Sequence, residues 1–220
     1  MNVLVVAAHP DDEILGVGGT IATHVDRGDS VTAVIMCEGV SVRYGEERQE
    51  TVAEQSKQAA SILGVTNLIV KQLPDQRLDT LPISQVAGEV EEVVRSHQPE
   101  VVYTHFGGDL NRDHRIVAEA VLIATRPYAA PMIREVLMFE TPSATEWGSS
   151  HLLPAFDPTV VVDISAAIDR KIQAFLCYCA EVVDYPHPRS PEALRARAQY
   201  WGSQYNRPMA EAFTVVRSLR

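Results

Sequence analysis

The chain has 220 residues, 46% of them hydrophobic and 22% charged. This balance suits one α/β domain with a full core and excludes disordered, collagenous and coiled-coil chains. Nineteen Lys and Arg against 29 Asp and Glu give a formal net charge of −10, a field that repels phosphate backbones and anionic lipid, so no nucleic-acid partner is expected.

Residues 2–8 are a continuous apolar run of strand length, the pattern of a strand buried on both faces of a parallel sheet. Charges follow it directly and no basic stretch precedes it, so it reads as neither a signal peptide nor a membrane span. A helix over 15–27 closed by Gly28 and a strand over 30–37 complete a βαβ unit. The alternation continues with helix 46–63, strand 67–72, helix 81–96, strand 100–104 and helix 113–125. Strand-like segments at 132–140 and 159–163 and a helix over 165–180 follow. The expected fold is a Rossmann-like, doubly wound and mostly parallel sheet with helices on both faces, in one domain over residues 1–220. Residues 184–220 read as an irregular C-terminal segment packing back on the sheet. Cys37, Cys177 and Cys179, an odd set without framework spacing, read as reduced thiols in a cytoplasm, the last two as core packing.

Ligands of such sheets bind beyond the carboxyl ends of the strands, so polar loops after strands are where chemistry belongs. Ala8-His9-Pro10-Asp11-Asp12-Glu13 ends the first strand. Adjacent carboxylates need a cation, a proton or open water to coexist. His9 and Asp12, three apart across a turn into a helix, would converge on one metal ion, leaving Asp11 free as a base. Helix capping by Asp11 and Asp12 is the plainer reading, but it accounts for one acid and not for three and a histidine. Gly16, Gly18 and Gly19 do not match the dinucleotide fingerprint and read as close packing of the first helix on the sheet.

The loop after strand 100–104 carries His105, Asp109, Asn111, Asp113 and His114. A catalytic zinc takes three protein ligands and keeps one position open, which makes His114 the natural third, with the adjacent Asp113 as the carboxylate that orients its imidazole. In His187-Pro188-Arg189-Ser190, Ser190 before Pro191 is a helix cap, and His187 could protonate a leaving amine or stabilise an oxyanion. His24, His97 and His151 have no such company and read as surface residues.

These motifs, with Gly18-Gly19-Thr20-Ile21-Ala22 and Ala210-Glu211-Ala212-Phe213, resemble the LmbE-like or PIG-L family of zinc-dependent N-deacetylases over nearly the whole chain. The resemblance implies zinc on His9, Asp12 and His114, Asp11 as general base, and removal of an acetyl or related acyl group from an amino sugar or N-acetylglucosaminyl conjugate. Iron(II) or cobalt(II) would suit the same donors. Some members carry a histidine three residues before the last ligand, where this chain has Asn111. Asn111 could donate to an oxyanion there, with His187 or His105 supplying the proton. A substrate-binding arginine common in the family has no clear counterpart: Thr51 stands near its place, and Arg43 and Arg48 lie upstream. Residues 38–46 and 141–151 are the expected sugar-binding loops, with Trp147 as a stacking platform or a loop anchor. The alternatives are an amidase of thiol conjugates or other non-sugar amides at the same site, and a non-catalytic metal- or sugar-binding protein. Family members are often oligomeric, and the apolar C-terminal half would serve an interface or the core equally well.

Overall fold

The expected alternation of strands and helices is the observed architecture. The structure, a computed structural model, describes residues 1–39 and 49–219. In chain order the elements are β1 (Asn2–Ala7), α1 (Asp12–Asp26), β2 (Ser30–Cys37), α2 (Gln49–Leu63), β3 (Asn67–Leu73), α3 (Ile83–His97), β4 (Val101–His105) and α4 (Arg112–Ala124). They continue with β5 (Glu135–Phe139), β6 (Val160–Asp163), α5 (Ile168–Leu176), α6 (Pro191–Ser203) and β7 (Ala210–Ser218). The seven strands form one sheet in the order β3-β2-β1-β4-β5-β7-β6. The first five are parallel, and β7 runs antiparallel to both β5 and β6.

Alternate side chains of β1 feed two cores. Val3 and Val5 pack with α1, α2 and α5, whereas Leu4 and Val6 pack with α3 and α4. A strand covered on both faces has no polar side to show, hence its unbroken apolar run. α1 lies close on the sheet because it carries glycine where it crosses: a Cβ on Gly16 would fall 2.1 Å from Phe139, and one on Gly19 2.7 Å from Ile164. Chain order reverses between β1 and β4, which opens a crevice beyond their carboxyl ends.

Three expectations are corrected. Residues 184–219 are not irregular, since they supply α6 and an interior strand, β7. Charge disguised that strand: Glu211, its second residue, is buried against Lys171 Nζ at 2.6 Å and accepts from the Gly19 and Thr20 amides. Cys179 does not pack in the core, because α5 stops at Leu176 and leaves it exposed, whereas the half-buried Cys177 does pack against the first core. His24 is not on the surface: it is buried, with Nδ1 2.7 Å from Asp29 and Nε2 3.0 Å from the Tyr103 hydroxyl. Arg43, Arg48 and the start of the expected 46–63 helix lie outside the described residues.

Candidate active site

β1 and β4 are neighbours in register, Val6 opposite Thr104, so the loops after them leave the sheet side by side. From the first come His9, Asp11 and Asp12; from the second, through the first turn of α4, come Asp113 and His114. His9 Nδ1 lies 3.1 Å from Asp12 Oδ2, His114 Nε2 lies 3.2 Å from the same oxygen, and the two ring nitrogens are 3.3 Å apart. All three residues are buried. Ligands on a tetrahedral ion with bonds of about 2.1 Å are separated by about 3.4 Å, so this triangle matches one face of a zinc coordination shell. Two imidazoles and a carboxylate are also a catalytic donor set, and the residues present therefore fit a divalent ion.

The surrounding charges hold these donors in place. Burial alone would raise Asp12, yet His114, His105 and His9 together hold its carboxyl well below the usual range. Burial opposes charge on His114 too, but Asp12 and Asp109 push that imidazole up to about 9. His9 is likewise raised by Asp113 and Asp12 against the cost of burial.

Asp113 does not orient its neighbour His114. Successive helical residues point about 100° apart, and Asp113 turns instead to His9, its Oδ2 3.2 Å from Nε2, while its Oδ1 accepts from the Leu78 amide at 3.1 Å. The carboxylate beside His114 is Asp109, with Oδ2 3.2 Å from Nδ1, at ion-pair distance without hydrogen-bond alignment. Asp75 Oδ1 and the Gln76 side-chain amide, both from the loop after β3, also reach His9 Nε2, at 3.3 and 3.2 Å. Neither was singled out in the sequence, although a polar loop after a parallel strand is the signal that would have drawn attention to them.

Asp11 is the N-cap residue of α1, yet its side chain does not cap the helix. Its φ is 101°, a left-handed conformation sustained by its own amide donating to Glu13 Oε2 at 3.1 Å and by Ile14 and Leu15 donating to its carbonyl. Its carboxylate accepts from Arg189 Nη1 at 3.1 Å. Burial, only partly offset by that guanidinium, raises Asp11 well above the usual carboxylate range. Arg189 also donates to Glu181 at 2.6 Å and to Ser143 Oγ at 2.8 Å, tying three loops of the rim together.

His9, Asp11, Asp12 and His114 line a cavity of about 650 Å³ together with Asn111, Trp147, His187 and Arg189. Asn111 caps α4, its side-chain oxygen accepting from the Asp113 amide at 2.9 Å. His187 Nδ1 accepts from the Arg189 amide at 3.1 Å, so the neutral ring carries its proton on Nε2. Trp147 meets His187 edge-on at 5.9 Å and is 53% exposed. His105 does not serve as an acid in this cavity: it is fully buried, with Nε2 accepting from the Ala8 amide and Nδ1 at 3.0 Å from Thr141 Oγ1, and burial holds it well below the usual histidine range.

Comparison with known proteins agrees in sequence and in fold. The family model described as PIG-L, GlcNAc-PI de-N-acetylase, matches residues 4–125. The chain is 31% identical over 147 residues to the uncharacterized deacetylase YaiS of Escherichia coli (strain K12), covering 64% of this chain and 75% of that one. It is 26% identical to the diacetylchitobiose deacetylase of Thermococcus kodakarensis, covering 98% and 83% of the two chains. The crystal structure of the conserved protein TT1542 from Thermus thermophilus superposes with a TM-score of 0.81 at 26% identity, over 99% of this chain and 96% of the other.

Proposed function

Because the chain belongs to the PIG-L family of de-N-acetylases, we propose that it hydrolyses the N-acetyl or a related N-acyl amide of an amino sugar or N-acetylglucosaminyl conjugate. The observation that carries this reading is the triangle of His9, Asp12 and His114 on the cavity floor, with Asp11 beside it in the same cavity. His9, Asp12 and His114 would hold the ion, with zinc the first choice and iron(II) or cobalt(II) compatible with the same donors. When bound, such an ion polarises the amide carbonyl and lowers the pKa of water.

The chain's own residues supply the rest. Asp11 takes the proton from the attacking water and passes it to the departing amine, its carboxylate oriented by Arg189. Asn111, whose side-chain oxygen is committed to the Asp113 amide, keeps its NH₂ as a donor for the developing oxyanion. His187 offers its Nε2 proton to the oxyanion or to the leaving amine. Asp113 fixes the ring of His9. Trp147, half exposed at the rim, covers the apolar face of a pyranose. A structural ion is normally closed by four protein ligands; three donors beside an open cavity favour catalysis over a purely binding role. No described helix is long and apolar enough to cross a membrane, and a small acetylated sugar met in the cytoplasm is the substrate setting we favour.

Metal content of the purified protein is measured together with acetate release from N-acetylglucosamine, N,N′-diacetylchitobiose and an N-acetylglucosaminyl conjugate, with and without chelator. One divalent ion per chain and chelator-sensitive release are expected. Metal without release from any sugar would move the reading to non-sugar amides, and no metal would remove the mechanism.

A further inference from the structure

His9 stands between two sets of donors, and only one of them belongs to the centre described above. Nδ1 faces Asp12 and His114. Nε2 faces Asp113 Oδ2 at 3.2 Å and Asp75 Oδ1 at 3.3 Å, with the Cys37 thiol 3.9 Å from the same Asp113 oxygen. One donor atom from each of His9, Cys37, Asp75 and Asp113 lies within 4.8 Å of the others, and all four residues are buried. The convergence follows from the sheet: Cys37 ends β2, His9 follows β1, Asp75 follows β3, and Asp113 opens α4. We propose that these four residues form a second cation site, selective for soft divalent ions such as Zn²⁺ or Cd²⁺, whose occupation withdraws His9 from Asp12 and His114.

A thiolate, an imidazole and two carboxylates form a four-donor, closed set of the kind that holds a divalent ion without an open position. The sulfur gives the preference for soft ions over magnesium or calcium. His9 and Asp75 both line the cavity, which provides the way in. Holding His9 by a hydrogen bond to Asp113, with Asp75 at ion-pair distance, is the plainer purpose of these acids, and Gln76 joins them at 3.2 Å. A single Nε2 proton nevertheless does not require two carboxylates, and it does not involve a thiol at all. On binding, Cys37 gives its proton to solvent as the metal–sulfur bond forms. The His9 proton is lost from Nε2 and regained at Nδ1, so the ring's one lone pair turns to the second ion. The first ion is then left with two protein ligands. Metal in excess of one equivalent therefore inhibits.

This inference rests on His9 being a ligand of the first ion, and the test separates the two. The full-length chain carrying Cys177→Ser and Cys179→Ser, so that Cys37 is its one thiol, is stripped of metal and titrated with Cd²⁺. Total binding is followed by competition with a chromophoric chelator, and the thiolate bond by its ultraviolet charge-transfer band. Two equivalents are expected, one silent and one bringing the band, with the affinity of the second weakened about tenfold or more by Asp75→Asn. In zinc-loaded enzyme, excess zinc should inhibit acetate release, and Cys37→Ser should remove that inhibition while leaving basal turnover intact. No band at any cadmium concentration overturns the second site, as does a band whose affinity Asp75→Asn leaves unchanged, which marks a lone thiol. In Cys37→Ser, where the thiolate site no longer competes for His9, the silent equivalent should remain, and its absence there overturns the first centre and the proposed function.

Discussion

Asp11 combines two costs that a residue chosen for stability would avoid: a left-handed backbone and a buried carboxylate whose ionisation burial disfavours. Such strain persists only where the surroundings over-determine it, and it gathers at active sites. Asp11→Asn keeps the shape and removes the charge. It is expected to lower kcat by about 10²–10⁴-fold, to leave metal content unchanged, and not to lower the melting temperature, since a neutral amide escapes the burial penalty. Steady-state kinetics, elemental analysis and a thermal melt on one preparation check all three. His187→Ala, which removes the Nε2 donor, is expected to lower kcat by about 10²-fold with metal retained; unchanged kcat would take His187 out of the chemistry. At this scale sequence spacing brought His9, Asp12 and His114 to notice, because acids and imidazoles at strand ends have few structural uses. It did not give direction. Which of Asp109 and Asp113 faces which histidine depends on rotations about α4 and its entering loop, and Asp75 and Gln76 reach His9 from a strand two places away in the sheet.

Helix α1 shows how packing overrides propensity. Replacing a helix-interior glycine by alanine normally stabilises by about 1 kcal/mol. On Gly16 the new methyl would meet the Phe139 ring at 2.1 Å, whereas on exposed Gly88 of α3 it would meet nothing within 4 Å. Gly16→Ala is therefore expected to destabilise by about 1–3 kcal/mol and Gly88→Ala to stabilise by about 0.5–1 kcal/mol, both read from urea midpoints at constant slope. Most elements were legible in the sequence because buried parallel strands and amphipathic helices carry different periods, and their ends fall within a few residues of the expected ones. β7 was not legible, since Glu211 breaks the apolar pattern and its partner Lys171 lies 40 residues away. Where α5 stops was also missed, and with it the exposure of Cys179.

For the whole molecule, the donor triangle joins the β1 loop to α4 across the centre of the sheet, so an ion held there is a cross-link of the folded state alone. With free metal at 100–1,000 times its dissociation constant, binding adds about 3–4 kcal/mol to stability. For a chain of this size that is about 10 °C in melting temperature. Chelation should lower the melting temperature by that amount and added zinc should restore it. His114→Ala should lose the part of this stabilisation that the first site supplies, keeping only the response to excess zinc that a further Cys37→Ser removes. The doubly wound topology was readable as a whole from strand–helix alternation, and with it the strand ends where the site lies. The antiparallel finish was not, because nothing in a strand's composition says which neighbours it will have.

That finish governs how the protein can be made. β7 is last in the chain but sits inside the sheet, between β5 and β6. About 70 residues separate the end of β5 from the start of β7, so at about 5–20 residues per second a ribosome takes roughly 4–14 s to deliver the missing strand. During that interval the nascent chain already holds His9, Asp12 and His114, while β5 shows a bare edge and β6 has nothing to pair with. Synthesis thus passes through a period of seconds in which the metal donors are present and the sheet is open to foreign strands, and shielding of the β5 edge by a chaperone is most useful in that period.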